Sequence, residues 1–205
     1  MCEILFSLVA CAAFSALAYA QTNASADKQI REAEIARIKA YCQELDDYSK
    51  RNPKLRRLLA DISSGEEQKS RWREFKSEKD RDDAAIGDRA NAWAKGVAVV
   101  LASYTFQSES GDWTHYVDYY FREDGSLAKI HARLNTFYGN MTVIRERFYN
   151  PNGRLLSSSQ AFLDLKTQKK KKPDVDFIDE PISVYRTVKA LPFYALLSKP
   201  VVKTN

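Results

Sequence analysis

Residues 113–134 read WTHYVDYYFREDGSLAKIHARL. In the first run, Trp113, His115, Val117, Tyr119 and Phe121 alternate with Thr114, Tyr116, Asp118 and Tyr120. In the last run, Ala128, Ile130, Ala132 and Leu134 alternate with Lys129, His131 and Arg133. A period of two sends successive side chains to opposite faces of a strand, so each run has one apolar and one polar side. Glu123-Asp124-Gly125 between them is turn chemistry, and so short a connection demands antiparallel neighbours. The stretch predicts a β-hairpin.

The same character extends on both sides of the hairpin. Val97–Phe106, Thr142–Tyr149 and Arg154–Leu165 are rich in β-branched and aromatic residues. Ser110-Gly111-Asp112, Tyr138-Gly139-Asn140 and Asn150-Pro151-Asn152-Gly153 punctuate them as turns. Residues 97–165 are therefore expected to form a five-stranded antiparallel meander. Upstream the period changes. Ile35, Ile38, Cys42 and Leu45 recur at helical spacing over 27–51, with Ile30 and Tyr48 on the same side, until Asn52-Pro53 stops the helix. Leu55, Leu58, Leu59 and Ile62 suggest a short second helix ending near Ser63-Ser64-Gly65, and 66–91 a third, solvated one pinned at Trp72 and Phe75. Downstream, 166–176 reads as a lysine-rich linker. Residues 177–205 read as an arm packing on the sheet, broken by Pro181 and Pro192.

The expected class is α+β: two or three N-terminal helices in 21–96, the meander, and a docked C-terminal arm, folded as one domain. This order of helices before a curved sheet resembles that of the nuclear-transport-factor-like cone folds. The resemblance implies an interior pocket, which Trp113, His115 and Tyr119 would line.

Residues 1–20, MCEILFSLVACAAFSALAYA, form a short apolar run ending in Ala18-Tyr19-Ala20, the small-x-small pattern of a signal peptidase site. Cleavage after Ala20 predicts a secreted or periplasmic protein with no transmembrane segment in its mature chain. The alternative is a lipoprotein anchored through Cys11, because Leu8-Val9-Ala10-Cys11 resembles a lipobox. Removing the leader removes Glu3 as its one charge, taking the net charge from +5 to +6, and leaves Cys42 without a disulfide partner. Asn23-Ala24-Ser25 and Asn140-Met141-Thr142 match the glycosylation sequon.

The basic excess belongs to one tract, Lys166 and Lys169 to Lys172, followed at once by Asp174, Asp176, Asp179 and Glu180. Opposite charges so close largely cancel, and nucleic-acid binders instead spread cations among aromatics over a face, so no nucleic acid is expected. The mature chain offers only two histidines and one cysteine, and alternation sends His115 and His131 to opposite faces, so the three protein ligands a catalytic zinc takes do not converge. No Gly-rich phosphate loop is present, so neither metal nor cofactor is expected.

Two functions remain. The first is a non-catalytic exported protein that binds an anionic glycan, a lipid headgroup or an acidic protein. Lys129, His131 and Arg133 on one strand, Arg145 and Arg147 on the next, and Tyr116 and Tyr120 before them would share one sheet face. There guanidinium groups pair with carboxylate or phosphate oxygens and tyrosines supply flat contact area. The second is a small pocket-containing hydrolase or isomerase whose acid or base is Asp118 or His115. Alternation puts His115 and His131 on opposite faces, which denies them a shared site.

Overall fold

The computed structural model describes residues 4–63, 70–84, 87–108, 110–173 and 181–198, with backbone alone for 4–26. The strands are β1 (Arg57–Asp61), β2 (Trp72–Phe75), β3 (Arg89–Lys95), β4 (Ala98–Gln107), β5 (Trp113–Phe121), β6 (Leu127–Thr136), β7 (Met141–Tyr149) and β8 (Leu155–Asp164). They form a single eight-stranded antiparallel sheet in the order β2-β1-β3-β4-β5-β6-β7-β8. The helices are α1 (Ile4–Arg51), α2 (Glu78–Ala84) and α3 (Tyr194–Leu197).

The expectation of a five-stranded meander behind two or three N-terminal helices is corrected on two counts. The strands foreseen over 97–165 are β4 to β8, the last five of eight. Where described, the second and third helices foreseen before them are instead β1, β2, the short α2 and β3, and their residues 64–69 and 85–86 lie outside the described residues. Leu58 and Leu59 suggest a helix stripe, yet in β1 they point to opposite faces, and both are buried. Leu58 packs with Phe75 and Ala60, and Leu59 lies in the main core. Trp72 and Phe75, three apart, likewise serve the two faces of β2. Trp72 meets Tyr104 and Phe193, whereas Phe75 meets Leu58. A strand covered on both sides shows a continuous apolar run that cannot be told from a helix by periodicity.

One face of the sheet, the helix face, carries α1. Ile38, Cys42 and Leu45 pack there on Trp93, Val100, Leu101, Tyr120, Ala128 and Phe148. Tyr41 and Tyr48 hydroxyls donate to the carbonyls of Phe121 and Ala94, each at 2.7 Å, anchoring α1 at two points on the sheet. Pro53, which cannot continue the helix, opens a single 3₁₀ turn into β1.

The other face carries residues 181–198, the described part of the arm. Ile182, Val188, Leu191, Phe193 and Leu197 bury against Tyr119, Phe121, Ile130 and Tyr149. Tyr119 donates to the Ser183 carbonyl at 3.0 Å. Val188 donates its amide to the Gly125 carbonyl at 2.9 Å, and a Cβ on Gly125 would stand 3.0 Å from Val188 Cγ1. Gly125, with φ of +82°, thus serves both its turn and the seating of the arm.

Residues 174–176 of the linker, 177–180 and 199–205 of the arm, and the side chains of Cys11 and Asn23 lie outside the described residues. Among the described residues, no helix is long and apolar enough to cross a membrane.

Candidate functional site

Register decides which side chains meet. Asp118 pairs with His131 across β5 and β6, and His131 with Glu146 across β6 and β7. Extending the row, Asn91 pairs with Ser103 and Ser103 with Asp118. One polar line, Asn91-Ser103-Asp118-His131-Glu146, therefore crosses five strands on the helix face, beside the apolar strip that α1 covers. Beyond it lies a second row, Thr105-Tyr116-Arg133-Ile144, farther from α1.

The expected binding residues divide between the faces. Tyr116, Tyr120, Lys129, His131 and Arg133 share the helix face. Arg145 and Arg147 do not join them, because they pair with Ala132 and Ile130 and project to the arm side. The reason is the loop between β6 and β7. Thr136 pairs with Met141 across a four-residue connection, so odd positions of β6 face even positions of β7. The acidic Glu146 occupies the place foreseen for an arginine.

Two more expected members are consumed by the fold. Tyr120 is 4% exposed and donates its hydroxyl to Asp46 Oδ1 on α1 at 2.8 Å. Lys129 is drawn over the rings of Tyr120 and Phe148 and pairs with Glu146 at 2.7 Å. Burial acts to raise the Glu146 carboxyl, but the hydrogen bond and charge of Lys129, with His131 and Lys39, together outweigh it and leave the group below the ordinary carboxylate range. Sequence alternation carried no sign of Asp46, Ser103 or Glu146. Only the parity of the β6–β7 loop could have pointed to Glu146.

Asp118 sits at the centre of the polar row. Burial raises its carboxyl above the usual range, with Asp46 adding to the effect. The hydrogen bond from Ser103 Oγ at 2.5 Å and the nearby His131 oppose it. Serine, carboxylate and histidine are all present, but in the wrong order for nucleophilic catalysis. A serine nucleophile needs the imidazole as its hydrogen-bond partner with the carboxylate behind it. Here Ser103 donates directly to Asp118, and His131 lies on the far side. His131 Nδ1 is 3.8 Å from Glu146 Oε1, beyond hydrogen-bonding distance.

His115, the other acid–base candidate, lies on the arm side at 1% exposure, edge-on to Phe106. Burial, then the charge of Arg145, pushes its imidazole down to about 4. Tyr119 beside it in β5 is also closed in, so neither lines the interior pocket that a cone would provide. Trp113 borders an open cleft of about 270 Å³ with Thr114, Asn135 and Phe137 at the sheet's end. Among the described residues, no group of three or more His, Cys, Asp or Glu is placed to hold a metal ion.

Tyr116 and Arg133 stay open. They face each other directly across β5 and β6, Tyr116 is 45% exposed, and Arg133 is exposed with its Nε donating to Asn135 Oδ1 at 3.2 Å. That bond orients the guanidinium, and no ion pair among the described residues occupies its two Nη groups. Searches of family models, curated proteins and solved structures return no match to this chain.

Proposed function

We propose that the protein is an exported, non-catalytic binding protein that engages an anionic group of a glycan, lipid headgroup or acidic partner. The contact is made on the half of the helix face that α1 leaves uncovered. The observation that carries this reading is the Tyr116–Arg133 pair, opposed on two central strands with both side chains open to solvent. A guanidinium presents paired donors to carboxylate or phosphate oxygens, and the adjacent phenol ring gives a rigid, amphipathic surface for the rest of the ligand. His131, half-buried in the next row, adds a third polar group to the patch. The closed surroundings of His115 and the Ser103–Asp118 contact favour binding over the hydrolase or isomerase alternative.

The test replaces Arg133 with Ser and, separately, Tyr116 with Ala. It measures retention on immobilised dextran sulfate and on phosphatidylglycerol vesicles at low salt. A charge-assisted contact is worth about 1.5–3 kcal/mol, so Arg133→Ser should weaken retention by roughly tenfold or more. Lys170→Ser, which changes charge equally but away from the patch, should have a smaller effect. Equal losses from the two serine variants would leave only nonspecific attraction and overturn the reading.

A further inference from the structure

The last strand, β8, has β7 on one side and forms an edge of the sheet. Its sequence, LLSSSQAFLD, holds no charge before Asp164 and no proline. Proteins usually blunt such an edge with lysine, proline, a bulge or a covering segment, because its unpaired backbone groups invite another strand. Here, among the described residues, a bulge at Leu156 marks the near end and a covering segment the far end, and the middle carries neither. After a turn the chain folds back, Asp164 donates its amide to the Lys169 carbonyl at 2.8 Å, and Lys171 donates to the Phe162 carbonyl at 3.0 Å.

Those two bonds reveal the outward residues of β8. Phe162 and Asp164 turn their backbone groups away from β7, so by alternation Ser158 and Gln160 do too. Both are exposed, as are Ser159 and Ala161 between and beside them. Among the described residues, no hydrogen bond reaches the outward N–H or C=O of either. The lysine return thus shows that this edge accepts a strand, and its described backbone bonds end at Phe162.

The surroundings of the open stretch carry a basic excess, since Glu146, opposite Ser159, is paired with Lys129, and Asp27 and Glu34 near Leu156 stand among Lys28, Arg31 and Arg154. Arg154 precedes it, Arg147 pairs with Ser158 across β7, and Lys169, Lys170 and Lys172 are exposed at the far end. The acidic residue at the far end, Asp164, is also spoken for. Its carboxylate accepts from the amides of Lys166 and Thr167, the Thr167 hydroxyl and Asn140 Nδ2.

We infer that the open edge of β8 receives an extended, acidic segment of a partner protein, added to the sheet as a further strand. Beyond the bulge, the five residues Ser157–Ala161 span about 15 Å at roughly 3.3 Å per residue, room for a short strand. Ser158 and Gln160 supply two donors and two acceptors to its backbone. Acidic residues beyond the paired part then meet Lys170 and Lys172. A second copy of the chain fits less well. Antiparallel self-pairing centred on Ser158 would bring Arg154 of each copy opposite Phe162 of the other, where the lysine return already sits. Bulk and like charge both oppose that arrangement.

Backbone pairing does not depend on the incoming side chains, so a generic probe suffices. The probe is an acetylated peptide of alternating Thr and Val followed by a run of Glu, titrated into the full chain with amide hydrogen exchange as readout. Binding should slow exchange at Ser158 and Gln160 at least about tenfold, since these amides become hydrogen-bonded. Ser158→Pro removes an outward donor without touching the β7 ladder and should abolish the effect. Lys170→Glu with Lys172→Glu, which leaves the backbone alone, should lower affinity by about tenfold or more. Arg133→Ser should change nothing, which separates this edge from the Tyr116 patch. Three results would overturn the inference: no binding up to about 1 mM peptide, binding that leaves the two amides unprotected, or protection that grows with protein concentration when no peptide is present.

Discussion

Replacing Leu45 with Ala tests whether α1 is held on the sheet by the contacts described. Leu45 is fully buried between α1 and the strip formed by Trp93, Val100, Leu101, Tyr120, Ala128 and Phe148. Truncation removes about three carbons' worth of burial at roughly 0.8 kcal/mol each, plus the cavity left behind. A helix lying on a sheet can settle into part of that space, so the loss should fall near the low end of core truncations, about 3 kcal/mol. Cys42, one turn away and 2% exposed, reports the opening. Burial first, then the acidic neighbours Asp46 and Glu146 against the opposing charges of Lys129 and Arg122, leave its thiol pushed up to about 12, so the docked state is inert to thiol reagents. In a chain with Cys2 and Cys11 replaced by Ser, labelling must proceed through an opened state, and its rate scales with the opening equilibrium. Leu45→Ala should therefore label roughly a hundredfold faster than its parent, at a factor of ten per 1.4 kcal/mol. Leu45→Met, which conserves volume, should label close to the parental rate. An acceleration below about tenfold for the alanine variant would refute the claim that this stripe holds α1 in place.

Two further outcomes follow from buried polar groups. His115 is held neutral because burial, aided by Arg145, depresses its imidazole from 6.5 to about 4, so the unfolded chain binds the extra proton between those values. Stability contributed by the neutral form is full above about pH 6.5 and is lost as pH falls toward 4, by up to about 3 kcal/mol. His115→Gln should flatten that part of a urea-midpoint profile against pH, and an unchanged slope would count against the burial argument. Arg57 donates to the Leu197 carbonyl at 2.9 Å and the Leu196 carbonyl at 2.8 Å while paired with Glu74, tying α3 to β1. Arg57→Ala should speed proteolysis within 181–198 with the sheet's circular dichroism unaltered. Equal cleavage rates for parent and variant would show that apolar packing alone secures the arm.

The patch depended on parity that alternation within single strands does not contain. Within β5 and β6 the two-residue rhythm placed Tyr116, Asp118, His131 and Arg133 on one side and His115 on the other, as the register requires. Between β6 and β7 the matter passed to a loop. Counting Phe137 to Asn140 as a four-residue connection sends Glu146, not Arg145 or Arg147, to the face of His131. Asp46 was out of reach for a different reason, since its contact with Tyr120 spans 74 positions and exists only once α1 lies across the sheet.

Local chemistry in the sequence was enough to determine the helix over 27–51 with its Pro53 stop, the strands β4 to β8, and the sidedness of β5 and β6, because these follow from periods and turns spanning a few residues. What tertiary structure alone decided is that β1, β2 and β3 join the same sheet. Their apolar residues serve two covered faces at once, α2 on one side and the arm on the other. A pattern that feeds two cores looks like a helical stripe until both covers are in place.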